Sequence, residues 1–351
     1  MRSTPDMGRH IVGKACVLGA GAWGTALGIV LADRGFSVVL WAWHEKTAWV
    51  ASQNRSSPRL PGIIVPENVE FTSDARGALA GADVVVSAIP SRALHTVVEN
   101  LGGLIPRDAL LVSATKGFDG ATLERPSALW SRKRPDLKNS IAVLSGPNFA
   151  IEVARKLPAA TVVAAERREC AERAQEAFMT PYFRVYTHWD VKGVELGGAL
   201  KNIIALACGM VEGMELGHNA QAGIISRGIA EVTRLGVALG ADPLTFAGLS
   251  GLGDVVLTST SNLSRNRQAG IAVGKGERLE EFLRRTGFTV EGVETVKAAK
   301  ALSQKHGVRM PINDVLYSIL YENLPVRDGV FLIMAREKRE ESEFSVSPWR
   351  V

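Results

Sequence analysis

Ala15-Cys16-Val17-Leu18-Gly19-Ala20-Gly21-Ala22-Trp23-Gly24 opens the stretch on which the fold turns, and a helical pattern carries it on to Arg34. The apolar run reads as a buried strand, and the glycines that follow stand at the spacing G-x-G-x-x-G. In that setting the first glycine makes the tight turn, and the second lets the backbone approach a pyrophosphate. The third packs helix against strand, and the helix N-terminus faces the anion. The motif alone is weak, since any glycine-rich turn matches it. The strand before it, the helix after it and a second strand closing at Trp41 make it a dinucleotide-binding βαβ unit.

Outward from this unit the first half keeps alternating. Runs 15–18, 37–41, 69–72, 83–87, 109–112 and 141–144 read as strands, and segments such as 93–101 have helical spacing. Strands so apolar are buried on both faces, which predicts a parallel sheet with helices on each side. Runs 160–165 and 183–186 extend it. After Asp190 the strand pattern stops, and apolar residues recur at helical spacing through 191–216, 221–239, 279–285, 293–306 and 311–324. The fold class is therefore α/β: an N-terminal Rossmann-type doubly wound sheet over 14–190, then an all-helical domain over 191–340. Residues 1–13 and 341–351 are expected to be disordered tails. The basic run Arg132-Lys133-Arg134 reads as a solvated helix end.

Composition narrows the function. The 351 residues suit about two domains. With 46% apolar and 22% charged residues, the chain is neither disordered, fibrous nor a small disulfide scaffold. A net charge of +5 is mild and suits a small anionic ligand; dense basic clusters of the nucleic-acid-binding kind are missing. Cys16, Cys170 and Cys208 are scattered and odd in number, so no disulfide framework is implied and a reducing compartment is expected. No two histidines fall at i, i+3 or i, i+4, which excludes a zincin-type site. The uncharged run 15–32 follows basic residues, as a signal peptide would, yet glycines interrupt it and no small-residue cleavage pattern closes it. A cytoplasmic protein without stable membrane insertion is the expectation.

Which dinucleotide binds stays open. An NAD site usually places an Asp or Glu about 20 residues past the glycines. Here the second strand ends in Trp41-Ala42-Trp43-His44-Glu45-Lys46. Glu45 comes late, and His44 or Lys46 can meet a 2′-phosphate, so both NAD and NADP remain candidates.

The chemistry is carried by Gly193-Val194-Glu195-Leu196-Gly197-Gly198-Ala199-Leu200-Lys201-Asn202. Each interior glycine costs a helix about 1 kcal/mol relative to alanine. Gly197 and Ala205 lie a turn either side of Lys201, leaving a bare patch open to a ligand or to another backbone. A lysine in so apolar a stretch is expensive to leave unpaired. It can protonate a carbonyl oxygen, and as a base in reverse it needs a depressed pKa. Three further blocks suit a phosphorylated substrate: Ala114-Thr115-Lys116-Gly117 and Ser145-Gly146-Pro147-Asn148-Phe149 after apolar strands, and Ser264-Arg265-Asn266-Arg267.

With these blocks in place the chain resembles the NAD(P)-dependent glycerol-3-phosphate dehydrogenases, particularly the bacterial type. The most specific stretches are Gly198-Ala199-Leu200-Lys201-Asn202, Gly217-His218-Asn219, Gly251-Leu252-Gly253-Asp254, Ser264-Arg265-Asn266 and Val290-Glu291-Gly292. The resemblance implies reduction of dihydroxyacetone phosphate to sn-glycerol 3-phosphate, a precursor of phospholipids, by a homodimer. It makes Lys201 the acid/base and Lys116 its electrostatic partner. Gly146, Asn148, Asp254, Ser264, Arg265 and Asn266 join these two lysines as substrate-site positions. Gly19, Gly21, Ala22, Trp23, Gly24, Trp43, His44, Lys116, Ala150, Arg265, Thr289 and Glu291 become cofactor contacts. Two positions depart from the family: Ala22 replaces a common serine, and Trp43 replaces a frequent His or Arg. The alternatives are a related β-hydroxyacid dehydrogenase or ketopantoate-type reductase, and an NAD(P)-sensing protein without catalysis. The first lacks a reason for Lys201-Asn202 with Ser264-Arg265-Asn266; the second has no need of Lys116 and Lys201 together.

Overall fold

The computed structural model describes residues 12–337 and Glu341. The tails expected to be disordered thus lie outside the described residues, apart from Val12, Gly13 and Glu341. Eight strands form one sheet in the order β3-β2-β1-β4-β5-β6-β7-β8. They are β1 (Lys14–Leu18), β2 (Ser37–Trp41), β3 (Val69–Thr72), β4 (Val84–Ser87), β5 (Leu110–Ser113), β6 (Ile141–Ser145), β7 (Ala159–Ala165) and β8 (Phe183–His188). The helices among them are α1 (Ala22–Asp33), α2 (Glu45–Asn54), α3 (Ala75–Leu79), α4 (Ser91–Leu101), α5 (Pro126–Lys133), α6 (Ala150–Ala154) and α7 (Arg168–Phe178).

Alternation along the strands divides the core. Ala15 and Val17 of β1 pack with α1, α6 and α7 on one face, whereas Cys16 and Leu18 pack with α3, α4 and α5 on the other. The chain thus winds both ways from β1, and the order reverses between β1 and β4, the crevice where open α/β sheets bind ligands.

The sheet is not wholly parallel, contrary to the sequence expectation. β7 runs antiparallel to β6, and β8 follows β7 in parallel. The five-residue α6 spans only about 8 Å along its axis, roughly half the length of β6. It cannot carry the chain back across the sheet, so β7 enters from the end where β6 leaves. That reversal keeps Ser145, Gly146 and Asn148 beside the first residues of β7.

The basic run also differs from expectation. Arg132 and Lys133 end α5, but Arg134 is buried, donates to the carbonyls of Gly102 and Ile105, and pairs with Asp136 at 2.7 Å. A guanidinium fork can satisfy backbone carbonyls that an apolar side chain would leave bare. Only the first two residues of the run behave as a solvated end.

No described residue after His188 is in a strand. The helical part comprises α8 (Val191–Gly213), α9 (Gly217–Ala238), α10 (Asp254–Thr260), α11 (Arg265–Gly274), α12 (Leu279–Thr286), α13 (Glu291–Lys305), α14 (Pro311–Tyr321) and α15 (Val326–Met334). A 3-10 turn (Pro243–Ala247) and a π turn (Leu249–Gly253) precede α10. Helix α8 is long and apolar enough to cross a membrane, but the other helices and the sheet enclose it. An all-round apolar helix of this kind is a core helix.

Helix α11 lies against α8 backbone to backbone. A Cβ on Gly209 would strike the carbonyl of Arg267 and come within 2.9 Å of the Gly270 Cα; Gly213 and Gly274 repeat the contact one turn on. Gly209→Ala should therefore destabilise the fold by about 1–3 kcal/mol through overpacking. At a solvent-facing helix position the same change would stabilise by roughly 1 kcal/mol. The urea midpoint reads the sign directly, and an unchanged or raised midpoint would contradict the close crossing.

Candidate active site

The glycine turn after β1 takes the shape that its sequence requires. Gly19 has φ +113°, and a Cβ there would sit 2.6 Å from the carbonyl of Ala88 beyond β4. Gly21 faces open space, and Gly24 packs on the Gly19 carbonyl and on Val17. Helix α1 starts with no side-chain cap and no acidic residue in its first turn, so its amides are free for an anion. Ala22 and Trp23 open this helix, and the Trp23 Nε1–H is buried without an acceptor. At the tip of β2, Trp43 is half exposed and stands edge-on to Trp41 at 5.7 Å between ring centroids. His44 is the N-cap of α2 and makes no capping bond. No carboxylate sits at the strand tip itself, and Glu45 is already the first residue of α2. The pieces fit a dinucleotide.

Lys201 occupies the middle of α8 and is only 6% exposed. It does not snorkel to solvent: its Nζ donates to Asp254 Oδ1 at 2.6 Å. Asp254, the first residue of α10, is 1% exposed, and its Oδ2 accepts from Lys116 Nζ at 2.5 Å. Lys116, on the loop beyond β5, also donates to the carbonyl of Gly146 at 3.2 Å. One buried carboxylate thus holds two ammonium groups, one from each half of the chain. Taking such charges out of water costs several kcal/mol per ion, and groups arranged this way mark functional sites.

The environment of Lys201 moves its pKa down to about 8. Burial is the largest cause, the attraction of Asp254 opposes it, and the repulsion of Lys116 adds to it. Near neutral pH the group is mostly protonated yet willing to give its proton up, as an acid that must also work as a base in reverse requires. Glu291, at the start of α13, is pushed up by burial, against the opposing pull of Arg265, Lys116 and Lys201. These charges therefore share one field.

The glycines around Lys201 are contact points for other backbone. A Cβ on Gly197 would lie 2.8 Å from the carbonyl of Ser250, and one on Gly198 would meet Ser145 Oγ, with Lys116 Cε 3.7 Å away. Of the two uses the sequence left open for this patch, close approach of another backbone is the one realised at Gly197. Beside the lysines, three side-chain atoms are buried without a partner: Ser145 Oγ, Asn148 Oδ1 and Asn202 Nδ2. Asn148 still donates its Nδ2 to the carbonyl of Ala160 at 3.3 Å. Buried polar groups are rarely left unsatisfied, and a polar ligand between β6 and α8 would satisfy these. Ser145 and Asn202 are the residues that sequence reasoning quoted without assigning. A hydroxyl closing an apolar strand, and an amide beside the candidate lysine, were the available signals.

The block on α11 divides into different tasks. Ser264 is buried as the N-cap, its Oγ accepting from Arg267 N at 3.3 Å. Asn266 ties three helices together: its Nδ2 donates to Asn202 Oδ1 at 2.9 Å, and its Oδ1 accepts from Gly292 N at 2.8 Å. Only Arg265 is exposed with no hydrogen-bond partner among the described residues. Thr289 lies in the turn two residues before Glu291, and Ala150 opens α6 beside the Gly146 loop. The site thus gathers Lys116, Gly146, Asn148, Lys201, Asp254 and Glu291. Trp43 and His44 stand apart, four strand steps from β6, which is about 19 Å across the sheet.

Known proteins resemble the chain across both of its halves. Two family models match: the NAD-dependent glycerol-3-phosphate dehydrogenase N-terminus over residues 14–171, and the C-terminus of the same family over 190–330. A curated relative from Moorella thermoacetica, named glycerol-3-phosphate dehydrogenase [NAD(P)+], is 47% identical over 328 residues, covering 93% of this chain and 97% of its own. The crystal structure of glycerol-3-phosphate dehydrogenase from Coxiella burnetii superposes with a TM-score of 0.88 at 35% identity, covering 92% of this chain and 99% of its own. A PanE/ApbA family ketopantoate reductase from Ralstonia eutropha reaches a TM-score of 0.53 at 15% identity, over 90% of this chain and 99% of its own. That last likeness is one of fold alone.

Proposed function

The chain belongs to the NAD-dependent glycerol-3-phosphate dehydrogenase family, and from that premise we propose how its own residues reduce dihydroxyacetone phosphate to sn-glycerol 3-phosphate. When bound, NADH or NADPH supplies the hydride. The glycine turn and the free amides of α1 hold the pyrophosphate, as the open space at Gly21 and the unpartnered Trp23 Nε1–H allow. Lys201 gives its Nζ proton to the carbonyl oxygen and takes one back from the alcohol in the reverse reaction. Asp254 keeps the lysine in place and sets how readily the proton leaves. Lys116 adds positive charge where negative charge develops on oxygen, the electrostatic role that dominates many such sites. The observation that carries this reading is the chain of contacts from Lys116 through Asp254 to Lys201, the last two buried.

Arg265 is the phosphate anchor in this proposal. It stands unpartnered at the N-terminus of α11, a helix with no acidic residue in its first turn. A hydrogen bond to a charged group is worth about 1.5–3 kcal/mol, so Arg265→Ala should raise the substrate KM roughly 10- to 100-fold with kcat much less affected. An unchanged KM in steady-state assays would remove Arg265 from the phosphate site. The activity itself is tested by following NADH and NADPH absorbance with dihydroxyacetone phosphate; no substrate-dependent oxidation of either would refute the reading. On the family likeness we assign the product to glycerophospholipid synthesis, and the protein to the cytoplasm as a homodimer.

A further inference from the structure

Helix α13 carries Glu291 at its start and, near its other end, one wall of a second cavity of about 330 Å³. The remaining walls come from the 307–309 segment, the start of α14 and Arg336 beyond α15. Among the described residues, three cations, Lys300, Arg309 and Arg336, face this space against one carboxylate, Asp314, and no aromatic residue lines it. Lys300 bonds Asp314 at 2.6 Å. Arg309 and Arg336 are exposed and have no hydrogen-bond or ion-pair partner for their guanidinium groups among the described residues.

A further cation stands close by. Arg234 on α9 donates to the carbonyl of Arg309 at 3.0 and 3.3 Å. Burial, together with the repulsion of Arg227, Arg336 and Arg309, lowers its pKa against the pull of Glu231. Glu231 itself is turned inward, accepting from the Ile312 and Asn313 amides at 2.9 and 2.8 Å. The first free amides of α14 are therefore taken, and an anion in the cavity would be held by side chains. Like charges gathered around a hollow repel one another unless an anion lies between them.

We propose that this cavity is a second anion site, which takes a compact ligand carrying two phosphate groups. The charge balance among the described lining residues leaves two positive charges to be met, more than a single carboxylate would neutralise. The described lining has no aromatic ring to stack on a nucleobase, and its charged groups are suited to phosphate oxygens. Arginine forks suit those oxygens, each able to hold two of them at once. The site shares no residue with the catalytic one and does not depend on the proposed reaction.

Titration calorimetry on the full chain, saturated with NADPH and glycerol 3-phosphate to fill the active site, tests it with pyrophosphate and with fructose 1,6-bisphosphate as probes. One binding event per chain is expected. In Arg309→Ser/Arg336→Ser its Kd should rise by about 10-fold or more, with kcat unchanged, while Arg265→Ala should retain it. Tighter binding of the sugar bisphosphate would mark an organic metabolite as the ligand, and tighter binding of pyrophosphate an inorganic one. No heat from either probe, binding that survives the double substitution, or binding lost in Arg265→Ala would overturn the proposal.

Discussion

Lys201→Ala should lower kcat for dihydroxyacetone phosphate reduction by about 10²–10⁴-fold, the usual worth of a positioned acid, while NADPH binds as before. The two readouts separate because Lys201 sits on α8, whereas the pyrophosphate cradle is built from the turn after β1. The fold should survive the change. Asp254 keeps its bond to Lys116 at 2.5 Å, so no carboxylate is stranded without a partner, the situation that makes a broken buried pair so costly. Steady-state turnover and NADPH titration by tryptophan fluorescence, both on the same preparation, check the two halves of this expectation. A variant that kept most of its turnover would show that the proton comes from elsewhere. Weakened cofactor binding with normal turnover would contradict the assignment equally.

The second large effect is expected at Asp254. Asp254→Asn is close in shape but removes the carboxylate that is hydrogen-bonded to both Lys116 and Lys201. The attraction of Asp254, ahead of that of Glu291, opposes burial and Lys116 repulsion at Lys201. Without it the lysine pKa falls below about 8, and less of the acid form exists at neutral pH. The substitution should therefore cut kcat/KM for reduction by roughly 10²-fold or more and move the alkaline loss of activity to lower pH. The buried Lys201 ammonium would also lose its hydrogen-bonded counter-charge, and the melting temperature should drop. If the alkaline limb stayed in place or moved upward, Asp254 would have no part in tuning the lysine.

Much of this was legible before any coordinates, because it depends on local pattern. The three roles of Gly19, Gly21 and Gly24 follow from spacing after an apolar strand; the structure shows the turn at Gly19 and the packing at Gly24, and leaves open space at Gly21. The eight strand runs could be read in the same way. What could not be read depends on residues far apart in the chain. The bond between Lys116 and Asp254 joins positions 138 residues apart, and that between Lys201 and Asp254 joins positions 53 apart. Nothing in a linear pattern says that one aspartate serves both lysines. The same holds for Asn266, a donor in sequence, whose amide is spent tying α8, α11 and α13 together. Arg134 was misread because composition cannot tell a solvated cation from one that satisfies buried carbonyls. The reversal of β7 depended on the length of α6, which ends at Arg155 where the chain turns through left-handed Lys156.

The pH dependence of kcat/KM for the reduction, measured with saturating NADPH from pH 6 to 10, tests the central claim most directly. A protonated Lys201 is the active form in that direction, so the account predicts a plateau at low pH and a fall through an apparent pKa near 8. Oxidation of glycerol 3-phosphate should show the mirror image, rising through the same region. A flat profile, or activity in the reduction that climbs across this range, would contradict a buried lysine as the acid.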